Sequence, residues 1–584
     1  LIRPDRLVPV EMGRSALPRA LQRRLAQRWR RTAAVVRAHP RHALAVTLVT
    51  VVGVALRLYG LGTESLWVDE AITAALLRRF GTLELVTAIP REQPHLPTYY
   101  VLLDLWAGVV GRGDAALRTF SAVFGVAALP FVYGLGRRLF DRRVGLLALA
   151  VTACSRFQLY YAQEVRMYAM LTALTVASYY CLLRREELRW AAGYVVTAVG
   201  AAYVHPFGGL GVLGGLAYLA LAARLDSRGL DTDGWPGVAG DRRAPAVVAL
   251  SLVPLVVAAA REFAKGVPLS YLSRPGLDEV ARSLLAFFGA WPTPGVGVAV
   301  GGLLALLGVA ALVPAAAAAT GRRRVTRGTG STLLLACWAA VPVVVLVAVS
   351  YLITPVFWYR YALPAAPACY LLVARGGVGL ADRVAAWLDA RRATSTGSPA
   401  AADGGGRGRD GRRDRLALAL RVALAALLVL ALVPSVAAYH TTDGKDQWEE
   451  AVGTVESRAD PGDLVLVDGC LTMVAYDRYR DREDLAVRGV IDVQSAMGVS
   501  PTPPDVIRRA VHNRSTVWTV LAHISDREER RLRGIVRETH RPARNRSYVS
   551  IEVTRYERRT AAERTAANGS IPSRSAFDCR NHLL

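Results

Sequence analysis

Ser65-Leu66-Trp67-Val68-Asp69-Glu70-Ala71 is the stretch that decides how this chain is read. It follows the first long apolar segment, which ends near Tyr59, and that segment is itself preceded by a basic arm running from Arg3 to Arg41. Positively charged flanks stay on the cytoplasmic side of a spanning helix. The arm therefore predicts an inside N-terminus and delivers Asp69 and Glu70 to the outer membrane face. Two carboxylates placed there, followed by Gln93-Pro94-His95-Leu96-Pro97, suit acid–base chemistry at the outer leaflet. The alternative is a solvated acidic loop, and the pair alone does not choose between the two.

Composition narrows the class. Of 584 residues, 53% are apolar, and before Tyr439 they form long blocks separated by short Arg-rich punctuation. This is the pattern of an α-helical polytopic membrane protein. A net charge of +25 raises the question of nucleic acid. The arginines, however, cluster between the apolar blocks, where they set topology and meet anionic head groups. With no basic stripe of interleaved aromatics, the expected partner is the lipid bilayer and not nucleic acid. Six scattered cysteines fit neither a disulfide scaffold nor a metal site. Cys154, Cys181, Cys337 and Cys369 lie in apolar runs and read as small core residues. No cleavable signal peptide is evident, so the first helix reads as a retained anchor. No cofactor or metal is expected.

Candidate spans are 42–59, 118–136, 144–157, 167–183, 190–204, 207–223, 244–260, 294–319, 331–353, 361–380 and 416–438. The clusters Arg137-Arg138, Arg142-Arg143, Arg184-Arg185, Arg224–Arg243, Arg322-Arg323-Arg324 and the run 381–415 all fall inside only if 96–111 does not cross. That segment is also shorter than the ~20 residues a span needs. It therefore reads as a juxtamembrane or re-entrant helix on the outer face, packed on protein. A true span at 96–111 is the alternative. The predicted organisation is a cytoplasmic arm (1–41), a transmembrane domain (42–438) with an outer loop (60–117) and a disordered Gly-rich cytoplasmic linker (381–415), an exterior α/β domain (439–560) and a disordered tail (561–584).

The exterior domain is marked by a helix over Lys445–Glu456, strands at Leu464–Val467 and Thr516–Ala522, a charged helix over Asp526–Val536 and an alternating strand over Tyr548–Tyr556. Glycosylation acceptor patterns at Asn513, Asn545 and Asn568 fit an exterior location without proving it.

With topology set, the unusual polar residues sort to one side. Arg118 opens the second span, Glu164, Arg166 and Tyr168 surround the start of the fourth, His205 caps an outer turn, and Arg360 and Tyr361 begin the tenth. Together with Asp69, Glu70 and His95 they form one outer-face constellation. A phosphate is a natural partner for converging guanidinium groups, because the planar fork bonds its oxygens bidentately. Any one of these arginines taken alone reads as snorkelling to head groups, and His205 alone as a packing residue. Three arginines beside two acids favour a lipid-phosphate site. A sugar carried on a polyprenyl phosphate already has a phosphate leaving group, so its departure needs charge stabilisation and the acceptor hydroxyl needs a base. One acid serves as base and the other orients it, and a single displacement inverts the anomeric centre.

The same residues resemble the GT-C superfamily of polytopic glycosyltransferases, in particular the family 39 type with protein O-mannosyltransferases and aminoarabinose transferases. The likeness runs over about 42–380. It is carried by Arg57-Leu58-Tyr59-Gly60-Leu61-Gly62 leading into Leu66-Trp67-Val68-Asp69-Glu70, and by Gln93-Pro94-His95-Leu96-Pro97-Thr98-Tyr99-Tyr100. It continues with Ala116-Leu117-Arg118-Thr119-Phe120-Ser121-Ala122, Tyr160-Tyr161-Ala162-Gln163-Glu164-Val165-Arg166-Met167-Tyr168 and Trp358-Tyr359-Arg360-Tyr361-Ala362-Leu363-Pro364. The resemblance implies Asp69 as catalytic base, Arg118 as a contact to the lipid phosphate, and a dolichyl-type polyprenyl-phosphate hexose or pentose as donor. The acceptor, whether glycan, lipid or protein, stays open. His95 departs from the family's Pro-Pro-Leu element. The Trp-Trp-Asp type signature of oligosaccharyltransferases is absent, which argues against transfer of whole glycans to asparagine and against an obligatory metal. The competing reading is a transporter or flippase of lipid-linked saccharides, which predicts inverted repeats and polar residues at the midplane. The topology predicts that a cysteine at Asp114 is labelled by an impermeant reagent from outside the cell, and one at Asp141 only after permeabilisation. Labelling of both from one side overturns it.

Overall fold

The structure is a computed structural model that describes residues 37–92, 95–264, 272–289, 296–319, 326–395, 419, 422–423, 425–442, 444–494 and 498–560. Expectations for the arm before Arg37, for Gln93-Pro94, for Arg322-Arg323-Arg324, for most of the linker, and for the tail with Asn568 fall outside those residues.

Long apolar segments satisfy their own backbone only as helices. The first part of the chain accordingly runs as α1 Pro40–Leu58, α2 Val68–Arg79, α3 Leu85–Glu92, α4 Thr98–Val110, α5 Asp114–Leu139, α6 Arg142–Ala153, α7 Arg156–Ala162 and α8 Tyr168–Leu182. It continues with α9 Leu188–Val204, α10 Pro206–Asp226, α11 Arg243–Ala264, α12 Leu277–Phe287, α13 Val296–Ala319, α14 Arg327–Leu352, α15 Ala366–Ser395 and α16 Val433–Thr441. Among the described residues, six helices are long and apolar enough to cross a membrane, seven if α6 and α7 count together. The chain is a multi-pass membrane protein. Pro40 and Pro206 start their helices where a missing N–H costs nothing. Asp141 caps α6 by accepting from the Arg143 and Val144 N–H groups.

Three local expectations need correction. The segment over 144–157 is broken: α6 and α7 meet at 59°. Ser155 caps α7 by accepting from the Gln158 N–H, which leaves the last carbonyls of α6 without helical partners. The buried Arg57 guanidinium takes them, donating to the Thr152 and Ala153 carbonyls at 3.0 and 3.2 Å. The linker begins later than 381, because Val378, Ala381 and Ala385 continue the buried stripe of α15 at helical spacing. The strand expected over 548–556 is the second half of a hairpin.

Of the segment read over 96–111, residues Thr98–Val110 form a helix. α4 has 13 residues. At 1.5 Å per residue it extends about 20 Å, short of the ~30 Å hydrocarbon core. It packs along α5, with the Trp106 indole donating to the Ala116 carbonyl at 3.2 Å.

The remaining chain is α/β: α17 Trp448–Glu456, β1 Leu464–Val467, α18 Cys470–Tyr479, β2 Ala486–Gly489, β3 Ile491–Gln494, β4 Gly498–Pro501, α19 Pro504–His512, β5 Thr516–Ala522, α20 Asp526–Arg537, β6 His540–Tyr548 and β7 Ile551–Arg558. The main sheet has the order β2-β1-β5-β7-β6, with β2, β1 and β5 parallel and β7 and β6 antiparallel. β6 turns into β7 at Val549-Ser550, where Ser550 adopts φ 60°. β1 is apolar at every position because both sheet faces are covered. Alternation divides its neighbours: Val465, Val467, Trp518 and Val520 join the core of the membrane helices, whereas Leu464, Leu466, Val517 and Leu521 pack with α19 and α20. Asp114 itself accepts from the Tyr479 hydroxyl at 2.6 Å. Leu83, 85% exposed in the same loop, is therefore the labelling position that leaves this contact intact.

Candidate active site

α2 begins inside the quoted stretch and carries Asp69 and Glu70 in its first turn. Successive helical residues point about 100° apart, so the two carboxylates meet different surroundings. Glu70 is fully buried, while the Asp69 side chain is 28% exposed.

Glu70 is a structural hub. Arg118 Nε donates to Oε1 at 3.0 Å and Nη2 to Oε2 at 2.8 Å. Lys445 Nζ donates to Oε2 at 3.1 Å, and the Val165 N–H to Oε1 at 2.7 Å. The Trp67 N–H, at 3.4 Å from Oε2, closes the start of α2. Burial alone raises the Glu70 carboxyl, but Arg118, Lys445 and the bonds from Arg118 and Val165 outweigh it and bring it to about 2.

Arg118 spends its other donors on the carbonyls of Leu61, Glu64 and Ser65, at 3.0, 2.7 and 2.9 Å. A guanidinium has five N–H donors, and here all are engaged. The expected contact from Arg118 to a lipid phosphate is therefore corrected: in this arrangement Arg118 positions Glu70 and the loop at Leu61–Ser65. Glu70 is likewise closed off from proton transfer.

Asp69 faces two other arginines. Arg360 Nη1 lies 3.5 Å and Arg166 Nη2 3.8 Å from its Oδ2. Arg166 also donates to the Thr73 hydroxyl at 3.3 Å and to His95 Nε2 at 3.2 Å. Arg360 lies over the Trp358 ring, 3.8 Å from its centroid, which fixes the plane of the guanidinium. The Nε of each arginine is buried without a hydrogen-bond partner. Two cations with unspent donors thus flank a part-open carboxylate.

The other candidates surround this pair. His95 accepts from Arg166, so its proton sits on Nδ1. Burial first, then Arg166, His205 and Arg360, hold it well below the usual histidine range. His205 accepts the Phe207 N–H through Nδ1 and is driven down to about 3 by burial, Arg166 and Arg360. Its ring sits 5.9 Å from His95, 6.1 Å from Tyr168 and 6.3 Å from Tyr361, a wedge between aromatic groups. Glu164 accepts from the Trp67 indole at 2.8 Å, and its Oε2 is buried and unpartnered. Burial raises it to about 7, with Lys445 opposing and Glu70 adding to the rise.

Two residues here escape the sequence reading. Arg156 lines a recess with Phe157, Tyr160, Tyr161 and Tyr359. Lys445 reaches back from the α/β region, donates to the Gln163 carbonyl at 2.8 Å and lies 5.7 Å from the Tyr160 ring centroid. Its one sequence signal is rarity: of 72 basic residues only Lys265 and Lys445 are lysine.

The fold is matched by ArnT from Cupriavidus metallidurans in the apo state, with a TM-score of 0.51 and 15% identity over 87% of this chain and 97% of that one. The chain has the GT-C glycosyltransferase fold. A family model described as Dolichyl-phosphate-mannose-protein mannosyltransferase matches residues 92–229, a GT-C segment that contains His95, Arg118, Glu164, Arg166, Tyr168 and His205. The oligosaccharyltransferase of Archaeoglobus fulgidus, tethered with an acceptor peptide containing the NVT sequon through a disulfide bond, shares the GT-C architecture. Its TM-score is 0.50 and its identity 13%, over 89% of this chain and 74% of that one. No curated protein matches the sequence.

Because Glu70 is ionised well below its ordinary range in the folded chain, its contribution to stability is present above about pH 4.5 and is lost as pH falls toward 2. Glu70→Gln leaves Arg118 and Lys445 buried without their anion and is expected to cost about 3–5 kcal/mol. Thermal unfolding of the detergent-solubilised protein across pH 2–7 checks this. The wild type loses stability on acidification, and the variant starts lower with a flatter profile.

Proposed function

We propose that the protein is a membrane glycosyltransferase that takes a sugar from a polyprenyl-phosphate donor and passes it to an acceptor at the outer membrane face, with Asp69 as the base. The observation that carries this reading is the asymmetry of the acid pair. Glu70 is sealed among five donors. Asp69 stays part-open between Arg166 and Arg360. The description of the matched family, which names a dolichyl-phosphate-mannose donor, supports the same donor class.

The chemistry follows from those groups. An acceptor hydroxyl gives its proton to the Asp69 carboxylate while its oxygen bonds the anomeric carbon. The bond from that carbon to the phosphate oxygen breaks with its electron pair, and the departing phosphate gains negative charge. Arg166 and Arg360 meet that charge with donors already in place, so little reorganisation is needed. One displacement inverts the anomeric configuration. The aromatic recess at Phe157, Tyr160, Tyr161 and Tyr359, with Arg156 at its wall, gives the donor a largely apolar bed with one cation. The N-terminus is inside and the α/β region outside. Against the transporter reading, the polar groups gather at the loops that join the helices rather than along their middles.

Asp69→Asn keeps the shape of the side chain and removes the proton acceptor. It should lower transfer from a polyprenyl-phosphate sugar by roughly 10²–10⁴-fold while the fold and binding of the lipid phosphate persist. Arg166→Ala and Arg360→Ala should each weaken the donor about 10- to 150-fold, with the lysine variants recovering part of the loss because the charge returns without the fork. Transfer assays with a panel of polyprenyl-phosphate sugars, analysed by mass spectrometry, give both readouts. Full activity in Asp69→Asn overturns the assignment of the base.

A further inference from the structure

Asp468 and His523 belong to a polar group that the proposed reaction leaves unused. Asp468 follows β1 and His523 follows β5, so they stand together at the carboxyl ends of two adjacent parallel strands. Open α/β sheets receive ligands at that edge. His523 holds φ 53°, a left-handed backbone that a residue with a side chain adopts at a cost. Its Nε2 pairs with Asp446 Oδ2 at 2.8 Å.

Two links bring this edge to Asp69. The Asp446 carbonyl accepts from the Ser65 hydroxyl at 2.9 Å, in the loop that leads into Asp69. α18, which begins just after Asp468, packs against α2, which carries Asp69. His523 is raised above the usual histidine range by its bond to Asp446 and, after burial opposes it, by the charges of Asp446, Asp468 and Asp69, so these groups share one electrostatic neighbourhood.

The second, independent observation is Asp468 itself. It is 4% exposed, and its Oδ1 has no hydrogen-bond partner. Buried carboxyl oxygens are normally matched by donors, so this one is short of a hydrogen bond.

We propose that Asp468 and His523 form the acceptor subsite, taking a hydroxyl-bearing acceptor and presenting it to Asp69. Asp468 accepts from one hydroxyl, His523 contacts a second polar atom, and Asp446 holds the imidazole in place. The proposal rests on the reading of Asp69 as base. Hydroxyls of this kind are offered by glycans and by serine or threonine side chains, and the recognition chemistry is common to both.

The test uses the purified full-length protein in lipid nanodiscs and three binding probes: methyl α-mannopyranoside, N-acetylthreonine amide and decaprenyl phosphate. Wild type should bind one of the two hydroxyl probes. Asp468→Asn and His523→Gln should each weaken that probe at least tenfold and leave decaprenyl phosphate unchanged, with thermal unfolding confirming the fold of each variant. Should Asp468→Asn fail to fold, His523→Gln carries the comparison. A response to the mannoside marks a glycan acceptor, and one to the threonine probe a protein acceptor. Wild type that binds decaprenyl phosphate but neither hydroxyl probe overturns the subsite, as do variants with unchanged probe affinity. Wild type that fails to bind decaprenyl phosphate overturns the donor reading instead, and the hydroxyl titrations still decide the subsite.

Discussion

The bidentate bond between Arg118 and Glu70 holds four parts of the chain in one frame. Glu70 sits on α2, Arg118 on α5, Val165 just before α8 and Lys445 at the entry to the α/β region, and all meet at one carboxylate. A buried ion pair of this kind adds little net stability over a well-packed apolar core, but breaking it is costly because the remaining charges have no water. Its value here is registry. The three carbonyls that complete Arg118 come from Leu61, Glu64 and Ser65, so the guanidinium also fixes the shape of the loop that presents Asp69. An ammonium in its place lacks the planar fork to serve carboxylate and carbonyls at once. Two cations against one full anion leave a surplus of positive charge; burial raises the neighbouring Glu164 and lowers Lys445, and their mutual attraction opposes both shifts.

Neighbouring acids acquire different roles from helical geometry alone. At the first turn of α2, one residue, Asp69, stays at the opening and the next, Glu70, turns inward to the hub, although both are carboxylates. Environments that separate two like groups are a general way of dividing chemical labour between them. The structural acid keeps its charge because it is saturated with donors. Asp69, the base of the proposed reaction, has its arginine neighbours at 3.5 and 3.8 Å, both on Oδ2, and keeps its side chain part-open.

Much of this was readable in the chain. The alternation of apolar blocks and arginine clusters carried the helical segments, and the segment at 96–111 was readable as a short helix. The quoted motifs brought Asp69, His95, Arg166 and Arg360 to the same place. What stayed hidden has a common physical cause. The role of Arg118 depends on backbone carbonyls, which are the same at every position and leave no mark in the residue string. Arg57 was equally opaque, since its partners are the carbonyls of a break in another helix. The hairpin of β6 and β7 was missed because β6 reads as a polar, Arg-rich edge strand with a proline, His540–Tyr548, and has no alternating apolar face. Lys445 offered only its rarity.

The α/β region is built into the membrane body rather than appended to it. One face of its central strands shares a core with the helices, and the other is covered by its own α19 and α20. A strand has only two faces, so a sheet that gives one of them to the helix bundle has no freedom to rotate away without exposing Val465, Val467 and Val520. Lys445, Tyr479 and Asp446 add polar ties at Glu70, Asp114 and Ser65, all in or beside the loop that leads to Asp69. Ligand sites favour such boundaries, because each side supplies groups that the other fold element could not place. The loops that join the membrane helices contribute Arg166 and Arg360, whose unspent donors suit an anion. The sheet contributes the carboxyl ends of β1 and β5, whose polar groups suit a hydroxyl arriving from the aqueous side. Asp69 stands where the two meet, and the Glu70 hub next to it fixes that meeting point with the narrow tolerance that the proposed proton transfer would need.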